Sequence, residues 1–358
     1  MYKIIIYLIM LMVLGFGCSK TERVQELKKF KKNEDFTRKA KLKGEKLALD
    51  TSFPLKAYRI EIIDSLIIIN ENYNPDYCIY IFNKNNFKHL AKTGRRGKGP
   101  GEISSPSRGS ISSEEKMYWL FDISKNGFWK FNLNKALLDP DYLPTDFVKI
   151  EKRNDQFYDM EWMHKENKFI LNGIDNNLLT VYSNNGNVAN CIGKNFIKNS
   201  DNQHPFLYAQ KNALHFSIHP KTGRIAIAYR LFDRISIIDP KDDTKYITTG
   251  KKTLNKKLEN INNTHLNFKH IKIGYFNPIW IKDFIVVPFV GQTSHSNTYE
   301  PTFANKLRVF KEDGTPVIEY ELDAQISNFC YDKENKRIIA LNMNDENPFV
   351  IYHLPIIQ

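Results

Sequence analysis

The sequence predicts an all-β fold: a six-bladed β-propeller of four-stranded blades whose ring is closed by an N-terminal strand. Short runs of β-branched and aromatic residues, broken by Asn, Asp, Gly and Pro, fill the chain from residue 55 onward, and long amphipathic helical periods are absent. A strongly apolar strand recurs at spacings of 51, 52, 56, 59 and 54 residues. Its six copies begin at Leu66, Met117, Phe169, Ile225, Phe284 and Ile338. Four strands in about fifty residues, repeated six times, are typical of propeller blades.

The chain begins with a segment typical of an export signal. Lys3 precedes an uncharged apolar run from Ile4 to Gly17, which is shorter than the about 20 residues that a membrane-spanning helix needs. We therefore interpret residues 1–17 as a signal peptide. The sequence Leu14-Gly15-Phe16-Gly17-Cys18 resembles the lipobox of bacterial lipoproteins. That resemblance implies that Cys18 carries a lipid, and the alternative is a plain cleaved signal with an incidental cysteine.

Positive charge is concentrated directly after this predicted lipid site. Of the 52 Lys and Arg residues, eleven lie in residues 20–46, together with five of the 40 Asp and Glu residues. We interpret residues 18–45 as a basic tether, which either lies on anionic lipid headgroups or forms a solvated, partly helical spacer. Without this segment and Lys3, the rest of the chain has 40 basic and 35 acidic residues. Because this surplus is small and the chain carries an export signal, we expect no nucleic-acid partner.

Further strands follow in each repeat. We predict third strands at Cys78–Phe82, Phe128–Phe131, Leu179–Tyr182, Ile235–Ile238, Leu307–Phe310 and Phe349–Tyr352. Turn sequences such as Asn184-Asn185-Gly186-Asn187 and Asp313-Gly314 lead to fourth strands, because these residues tolerate positive φ or bond their own backbone.

The last repeat ends at Gln358, just after its third strand, and lacks a fourth strand of its own. An unpaired strand edge invites association with other chains. The segment Lys46-Leu47-Ala48-Leu49-Asp50 alternates like a strand. We therefore predict that it pairs as the outer strand of the last blade, so that the propeller domain spans residues 46–358.

Two sets of residues resemble known propeller families. Thr93–Ile103 contains Gly97-Lys98-Gly99-Pro100-Gly101-Glu102 and resembles the G-x-G-P-G-E signature of exported six-bladed propellers from Bacteroidetes. Leu307–Phe310, Tyr320–Asp323 and Ile351–Leu354 are similar to TolB-like six-bladed propellers. The resemblance covers roughly residues 50–355. It implies the fold and a lipoprotein of the Bacteroidetes envelope, and it brings no catalytic residues with it.

The glycine-rich loop from Gly94 to Gly101 is the sharpest local motif. Its backbone N–H groups, with Arg95, Arg96 and Lys98, are suited to bind an anion. The loop lacks the Gly-Lys-Ser/Thr of a P-loop, and Pro100 excludes the helix that a dinucleotide fingerprint requires. The alternative interpretation, which we favour, is a tight crossing between the first two blades.

Signatures of metal or nucleophilic chemistry are absent from the sequence. The nine histidines include no H-E-x-x-H motif, and the cysteines form no C-x-x-C pair. His215 and His219 are four residues apart in a strand-and-turn context. We therefore predict no catalytic residues, no metal ligands and no cofactor.

Aromatic, Arg and Asn residues near the predicted channel are the remaining candidates for ligand binding. By blade alignment these are Tyr158, Tyr208, Tyr229, Arg230, Tyr275, Asn277 and Trp280. Such residues combine contact area with directional hydrogen bonds and suit sugars or peptides. Core packing between blades is the alternative role for most of them.

These observations predict a lipid-anchored binding or interaction module of the cell envelope, more so than an enzyme. The expected partner, besides the membrane, is a carbohydrate, a peptide or an envelope protein at the channel or rim. The alternative is an envelope lyase, lactonase or hydrolase with a metal in the channel, and a purely structural envelope protein is a third reading. Ser19 after the cysteine favours the outer membrane and leaves its side open.

Overall fold

The computed structural model of the protein confirms the predicted six-bladed β-propeller. It describes residues 28–31, 36–47, 57–112, 116–151, 159–173, 176–195, 197, 204–250, 255, 266–294, 303–342, 345 and 348–355. The described strands form six sheets of four or five strands each. The second strands begin at Leu66, Met117, Lys168, Ile225, Phe284 and Arg337, each within one residue of its predicted start.

The first three blades are four-stranded antiparallel sheets. Blade 1 contains β4 (Ala57–Ile63), β5 (Leu66–Glu71), β6 (Tyr77–Asn83) and β7 (His89–Arg95). Blade 2 contains β8 (Pro106–Ser112), β9 (Met117–Asp122), β10 (Gly127–Asn132) and β11 (Asp146–Lys149), with helix α1 (Leu133–Leu138) before β11. Blade 3 contains β12 (Met160–Met163), β13 (Lys168–Asn172), β14 (Asn177–Ser183) and β15 (Val188–Lys194), with a 3-10 turn (His164–Glu166) after β12.

The last three blades each include a strand from the N-terminal segment. Blade 4 contains β16 (Leu214–Ile218), β17 (Ile225–Tyr229), β18 (Arg234–Asp239), β19 (Asp242–Gly250) and β1 (Lys28–Lys31), and helix α2 (Pro205–Lys211) precedes it. Blade 5 contains β20 (Ile279–Ile281), β21 (Phe284–Phe289), β22 (Ala304–Lys311), β23 (Pro316–Ile326) and β2 (Lys39–Leu42). Blade 6 contains β24 (Asn328–Asp332), β25 (Arg337–Leu341), β26 (Phe349–Tyr352) and β3 (Glu45–Leu47).

The hairpins between first and second strands share one backbone feature. In every blade a residue with positive φ lies one or two positions before the second strand. These residues are Asp64, Lys116, Asn167, Gly223, Lys282 and Lys336. Because a left-handed residue fixes the course of a tight turn, the same hairpin geometry recurs in all six repeats.

The blades pack face to face around the axis of the ring. Each innermost strand contacts the innermost strand of the next blade, and β24 of the last blade contacts β4 of the first. Large aromatic side chains fill the spaces between blades. Between blades 2 and 3, for example, the rings of Phe128 and Phe169 stack with centroids 4.0 Å apart. Burial of such side chains contributes about 1.5–3 kcal/mol each and holds neighbouring blades together.

A buried ion cluster joins the last blade to the first. The carboxylate of Asp332 in blade 6 lies 3.4 Å from the Lys84 ammonium of blade 1, and both side chains are buried. Arg337 donates to Asp332 at 3.2 Å and to the Lys84 carbonyl at 2.7 Å. Burial by itself raises the pKa of Asp332, but hydrogen bonds from Asn335 and the nearby cations lower it overall. The seam is therefore held by polar contacts as well as by apolar packing.

The N-terminal segment lies along the outer edges of blades 4, 5 and 6. β1 pairs parallel with β19, β2 pairs parallel with β23, and β3 pairs antiparallel with β26. Part of the predicted tether therefore forms rim strands of the propeller. The signal peptide, Cys18 and residues 48–50 of the predicted closing strand lie outside the described residues. That β3 holds the ring closed stays a prediction.

Gly44, directly before β3, provides a test of this role. Its N–H donates to the Asp323 carboxylate at 3.0 Å, and a Cβ added to it would lie 2.4 Å from Cγ1 of Val350 on β26. Gly44→Ala therefore forces β3 and β26 apart and is expected to lower the free energy of unfolding by about 1–3 kcal/mol. Limited proteolysis should also cut the N-terminal segment faster. The control is Lys43→Ala at an exposed position, and a Gly44→Ala variant with unchanged stability and cleavage would contradict a role in closure.

Candidate functional site

The six innermost strands (β4, β8, β12, β16, β20 and β24) surround the central channel and build a cavity at one end of it. The cavity has a volume of about 520 Å³ and is lined by residues from all six blades. It opens on the face that carries the hairpins after the innermost strands, since the turns following β12 and β16 contribute to its lining. Every blade thus contributes to one shared site.

Two stacked rings of side chains lie at equivalent positions on the innermost strands or directly before them. We call them the inner ring and the outer ring. The strand register identifies them, because each residue of the outer ring pairs with the second or third residue of the second strand of its blade. The inner ring comprises Arg59, Arg108, Asp159, His215, Asn277 and Asn328. The outer ring comprises Glu61, Ser110, Glu161, Ser217, Ile279 and Cys330. The two rings are two residues apart along each strand, which places both on the same face of the strand.

Asp159 is the centre of the inner ring. Its fully buried carboxylate lies 3.2 Å from Nη1 of Arg59, 3.4 Å from Nη1 of Arg108 and 3.4 Å from Nδ1 of His215. Burial alone raises the pKa of Asp159, but Arg108, His215 and Arg59 lower it to about 2. Burial and Arg108 lower the pKa of His215 to about 4 in spite of Asp159. At neutral pH the inner ring therefore holds an ionised Asp159, two arginines and a neutral imidazole.

The outer ring places two carboxylates on one guanidinium group. Nη2 of Arg59 lies 3.3 Å from Oε1 of Glu61 and also donates to Oε1 of Glu161. Ser110 donates from Oγ to the other oxygen of Glu161 at 3.1 Å. Burial, together with the charge of Glu161, raises the pKa of Glu61 to about 7 against the opposing effect of Arg59, and burial also raises the pKa of Glu161. Arg59 thus contacts three carboxylates, and Glu61 titrates near neutral pH.

The lining of the cavity also includes aromatic residues. These are Trp162, Phe216, Trp280 and Phe329. Nε1 of Trp280 donates to the Ser217 carbonyl at 3.2 Å, and its ring meets His219 edge to face at 4.8 Å between centroids. These contacts fix the indole, so the wall is preformed.

Several polar atoms at the cavity have no hydrogen-bond partner among the described residues. They are Oε2 of Glu61, Oγ of Ser217, Oδ1 of Asn277 and Nε2 of His219. A buried polar atom without a partner costs about 1–3 kcal/mol. A ligand or water that satisfies these atoms would recover that free energy, which makes the cavity the candidate site of this protein.

The mouth of the cavity is rich in positive charge. Lys165, Lys221, Lys241 and Lys333 line it, and Lys165 donates to the Lys221 carbonyl at 2.8 Å. The carboxylate in the lining of this mouth is Glu166, which is paired with Lys168 at 3.1 Å. The field at the mouth therefore favours anions.

Within the described residues, neither a cluster of metal ligands nor a membrane-spanning helix is present. No group of three or more His, Cys, Asp or Glu side chains in the described ranges is arranged to hold a metal ion. His215 lies in the inner ring and His219 at the wall of the cavity, each with a different aspartate as its nearest carboxylate. Within the same ranges, the helices are too short or too polar to cross a bilayer.

The structure brings together only part of the predicted channel set. Asn277 and Trp280 line the cavity. Tyr208 lies on α2 and bonds Asn176 and Asn195, and Tyr229 donates to Ser236 in blade 4. Tyr275 donates to Asp233 at 2.7 Å within the core between blades 4 and 5. Arg230 is buried and is not part of the cavity lining, but its charge contributes to the lowered pKa of His215 in the inner ring. Tyr158 lies outside the described residues.

The glycine-rich loop lies away from the cavity, and its N–H and arginine groups contact a carboxylate of the loop itself, that of Glu102. The Gly99 N–H donates to Oε2 of Glu102 at 2.8 Å, and Arg95 lies 3.7 Å from the same carboxylate. Arg96 forms a backbone bridge with Ile103, and Lys98 follows within the turn. The loop thus connects blade 1 to blade 2, and the Glu102 carboxylate accepts the backbone hydrogen bond that an external anion was predicted to accept.

The residues that sequence reasoning missed are mainly those of the two rings. Arg59, Glu61, Arg108, Asp159 and Glu161 are charged residues inside otherwise apolar first strands. Alternation at i and i+2 was the available signal, since Arg59 and Glu61, like Asp159 and Glu161, lie two positions apart. An alignment of first strands, rather than of aromatic residues, finds both rings.

Comparisons with known proteins agree with this architecture. The sequence profile of the family described as TolB-like 6-blade propeller-like matches residues 35–334. A solved member of the DUF4221 family from Bacteroides vulgatus has a TM-score of 0.59 at 10% identity, with 87% of this chain and 96% of that chain covered. A candidate exported protein from Bacteroides fragilis has a TM-score of 0.55 at 11% identity, with 88% and 97% covered. No curated protein matches the sequence. At such identities the solved structures show the fold alone, whereas the profile spans most of the chain, which therefore belongs to the TolB-like six-bladed propeller family.

Proposed function

We propose that this protein is a lipid-anchored binding module of the bacterial cell envelope that recognises a carbohydrate, a peptide or a protein partner in the channel cavity. The cavity carries the proposal, because all six blades line it and it presents buried polar atoms without described partners. A concave site with aromatic walls and a few convergent polar groups is typical of ligand binding. The description of the Bacteroides fragilis neighbour as a candidate exported protein supports export, and the sequence around Cys18 supports lipid anchoring at the outer membrane.

Filling the cavity tests the binding role. Ile279 is half-buried in the outer ring and lines the cavity. Ile279→Trp is expected to weaken retention of glycan-array or peptide-array ligands by at least about tenfold, because the larger side chain occupies their volume. Lys269→Trp, on an exposed loop outside the lining, is the matched control. Equal retention by the wild type and Ile279→Trp, or no retained ligand at all, would contradict the proposal.

Membrane attachment is tested at Cys18. Cys18→Ala is expected to abolish incorporation of labelled palmitate and to move the protein from the membrane to the soluble fraction, because several acyl chains supply durable attachment. Ser19→Ala, which keeps the cysteine, serves as the control. An unlabelled wild type, or a Cys18→Ala variant that stays on membranes, would refute the lipid anchor.

One observation favours a second candidate function, an envelope lyase or hydrolase. The pKa of Glu61 is raised to about 7 by burial, and this value suits a group that both accepts and donates a proton near neutral pH. An enzyme predicts that array ligands are consumed by the wild type and survive on Glu61→Gln. A binding module predicts that they are recovered unchanged from both.

A further inference from the structure

We propose that the ligand of the channel cavity is an acidic oligosaccharide, with its hydroxyl groups at the two rings and its negative charge at the lysines of the mouth. This inference rests on the proposed binding function and names its ligand class. It follows from a difference in chemistry between the floor and the mouth of the cavity.

The floor of the cavity offers hydrogen-bond acceptors and a hydroxyl group. Oε2 of Glu61 and Oδ1 of Asn277 have no partner among the described residues, and neither does Oγ of Ser217, whose residue is 8% exposed. One of the two arginines of the inner ring, Arg59, directs both terminal nitrogens at protein oxygens. A ligand group at the floor can therefore donate to Glu61 and Asn277, and it can either donate to the Ser217 hydroxyl or accept from it. Sugar hydroxyls do so, whereas a carboxylate or phosphate group only accepts and would meet Glu61 and Glu161.

The aromatic wall suits the rings of a saccharide. Trp162 and Trp280 line the cavity and are 7% and 8% exposed. Both indoles are packed in place, Trp162 against Trp119 at 5.1 Å between centroids and Trp280 against His219 at 4.8 Å. A rigid apolar surface beside polar acceptors matches a molecule with C–H faces and O–H edges. The volume of about 520 Å³ lies in the range that encloses drug-sized ligands, roughly 300–1,000 Å³.

The mouth supplies the charge selection. Four lysines and one glutamate, Glu166, are among the residues that line it, and the Glu166 carboxylate is paired with Lys168. Anionic groups of a ligand that reaches from the floor to the mouth would lie among these lysines. An acidic peptide would meet the same lysines, but it offers N–H donors and carbonyl acceptors only at the fixed spacing of its backbone, whereas each sugar hydroxyl can both donate and accept. The observations therefore favour an acidic saccharide over a peptide.

Matched pairs of probes test this inference on the full chain in detergent. Isothermal titration calorimetry compares trigalacturonic acid with galactotriose, and 3′-sialyllactose with lactose, at low and moderate salt. At least one acidic member is expected to bind about tenfold more tightly than its neutral counterpart, and its advantage should shrink as salt rises. Penta-glutamate is the peptide probe and is expected to bind more weakly than the preferred saccharide.

Two variants locate the selectivity. Lys221→Gln combined with Lys333→Gln should weaken the preferred acidic saccharide about fivefold or more and leave its neutral counterpart unchanged. Lys135→Gln combined with Lys269→Gln, at exposed positions outside the cavity lining, should change neither. Equal binding within both pairs, tighter binding of penta-glutamate, or insensitivity to Lys221→Gln/Lys333→Gln would overturn the inference. An array ligand of another class that is lost on Ile279→Trp would still support the proposed function, so the two failures are distinguishable.

Discussion

Replacing Arg59 with methionine is expected to lower the free energy of unfolding by about 3–5 kcal/mol at pH 7, because the loss of one partner strands buried charges. Arg59 is in contact with the carboxylates of Glu61, Asp159 and Glu161, and its side chain is 10% exposed. Methionine conserves most of the volume, so the loss reports charge rather than a cavity. Urea denaturation followed by tryptophan fluorescence measures it.

The control for this prediction is an arginine with a single, more exposed partner. Nη1 of Arg224 lies 3.2 Å from the Glu312 carboxylate, and both side chains are partly exposed to solvent. Arg224→Met should cost less than about 1 kcal/mol. The cost of Arg59→Met should also decrease toward pH 4.5, because protonation of Glu61 and Glu161 removes two of the stranded charges. A loss below 1 kcal/mol at pH 7 would show that Arg59 does not hold the rings together.

The sequence predicted the fold because the fold repeats. The second strand of every blade is buried on both faces and must therefore be apolar, and this applies to each of the six blades. The regular spacing of these six apolar strands reveals the repeat length. The turns at Gly223 and Asn167, both of which have positive φ, could likewise be predicted from the sequence, because Gly and Asn tolerate positive φ and stand directly before an apolar strand. The strands β1 and β2 were not predicted. Their Lys-rich sequences suggest a solvated tether, and only edge pairing with β19 and β23 makes them strands.

The site was harder to predict because its residues are distant in sequence and share no residue type. Arg59 and Glu161 are 102 positions apart, and a contact of this kind follows only from the closure of the ring. Aromatic residues were a poor guide, since Tyr275 serves the core through Asp233 and Arg308. Asn277 and Trp280 were predicted to lie near the channel, and they line the cavity because they lie on or directly before a first strand, the strand of each blade that faces the channel.

Glu61→Gln is expected to make the protein more stable at pH 8 by about 3 kcal/mol, in contrast to most substitutions of buried residues. The pKa of Glu61 is raised from 4.5 to about 7 by burial and by Glu161, and one pKa unit corresponds to about 1.4 kcal/mol. The folded state therefore binds the proton more tightly than the unfolded state. Between pH 4.5 and 7 this group stabilises the fold as pH falls, and above pH 7 its full destabilising effect is present. Glutamine removes the charge and with it the penalty.

The difference in stability between Glu61→Gln and the wild type isolates this effect from the rest of the rings. His215, whose pKa is lowered to about 4, destabilises the fold as pH falls below 6.5, and Asp159, whose pKa is lowered to about 2, acts only below about 4. Both groups are present in the wild type and in Glu61→Gln, so their contributions cancel to first order in the difference between the two free energies of unfolding. The difference should therefore be about 3 kcal/mol at pH 8, shrink below pH 7 and vanish near pH 4.5. A difference that is independent of pH would mean that glutamine changes packing, and that Arg59 already neutralises Glu61.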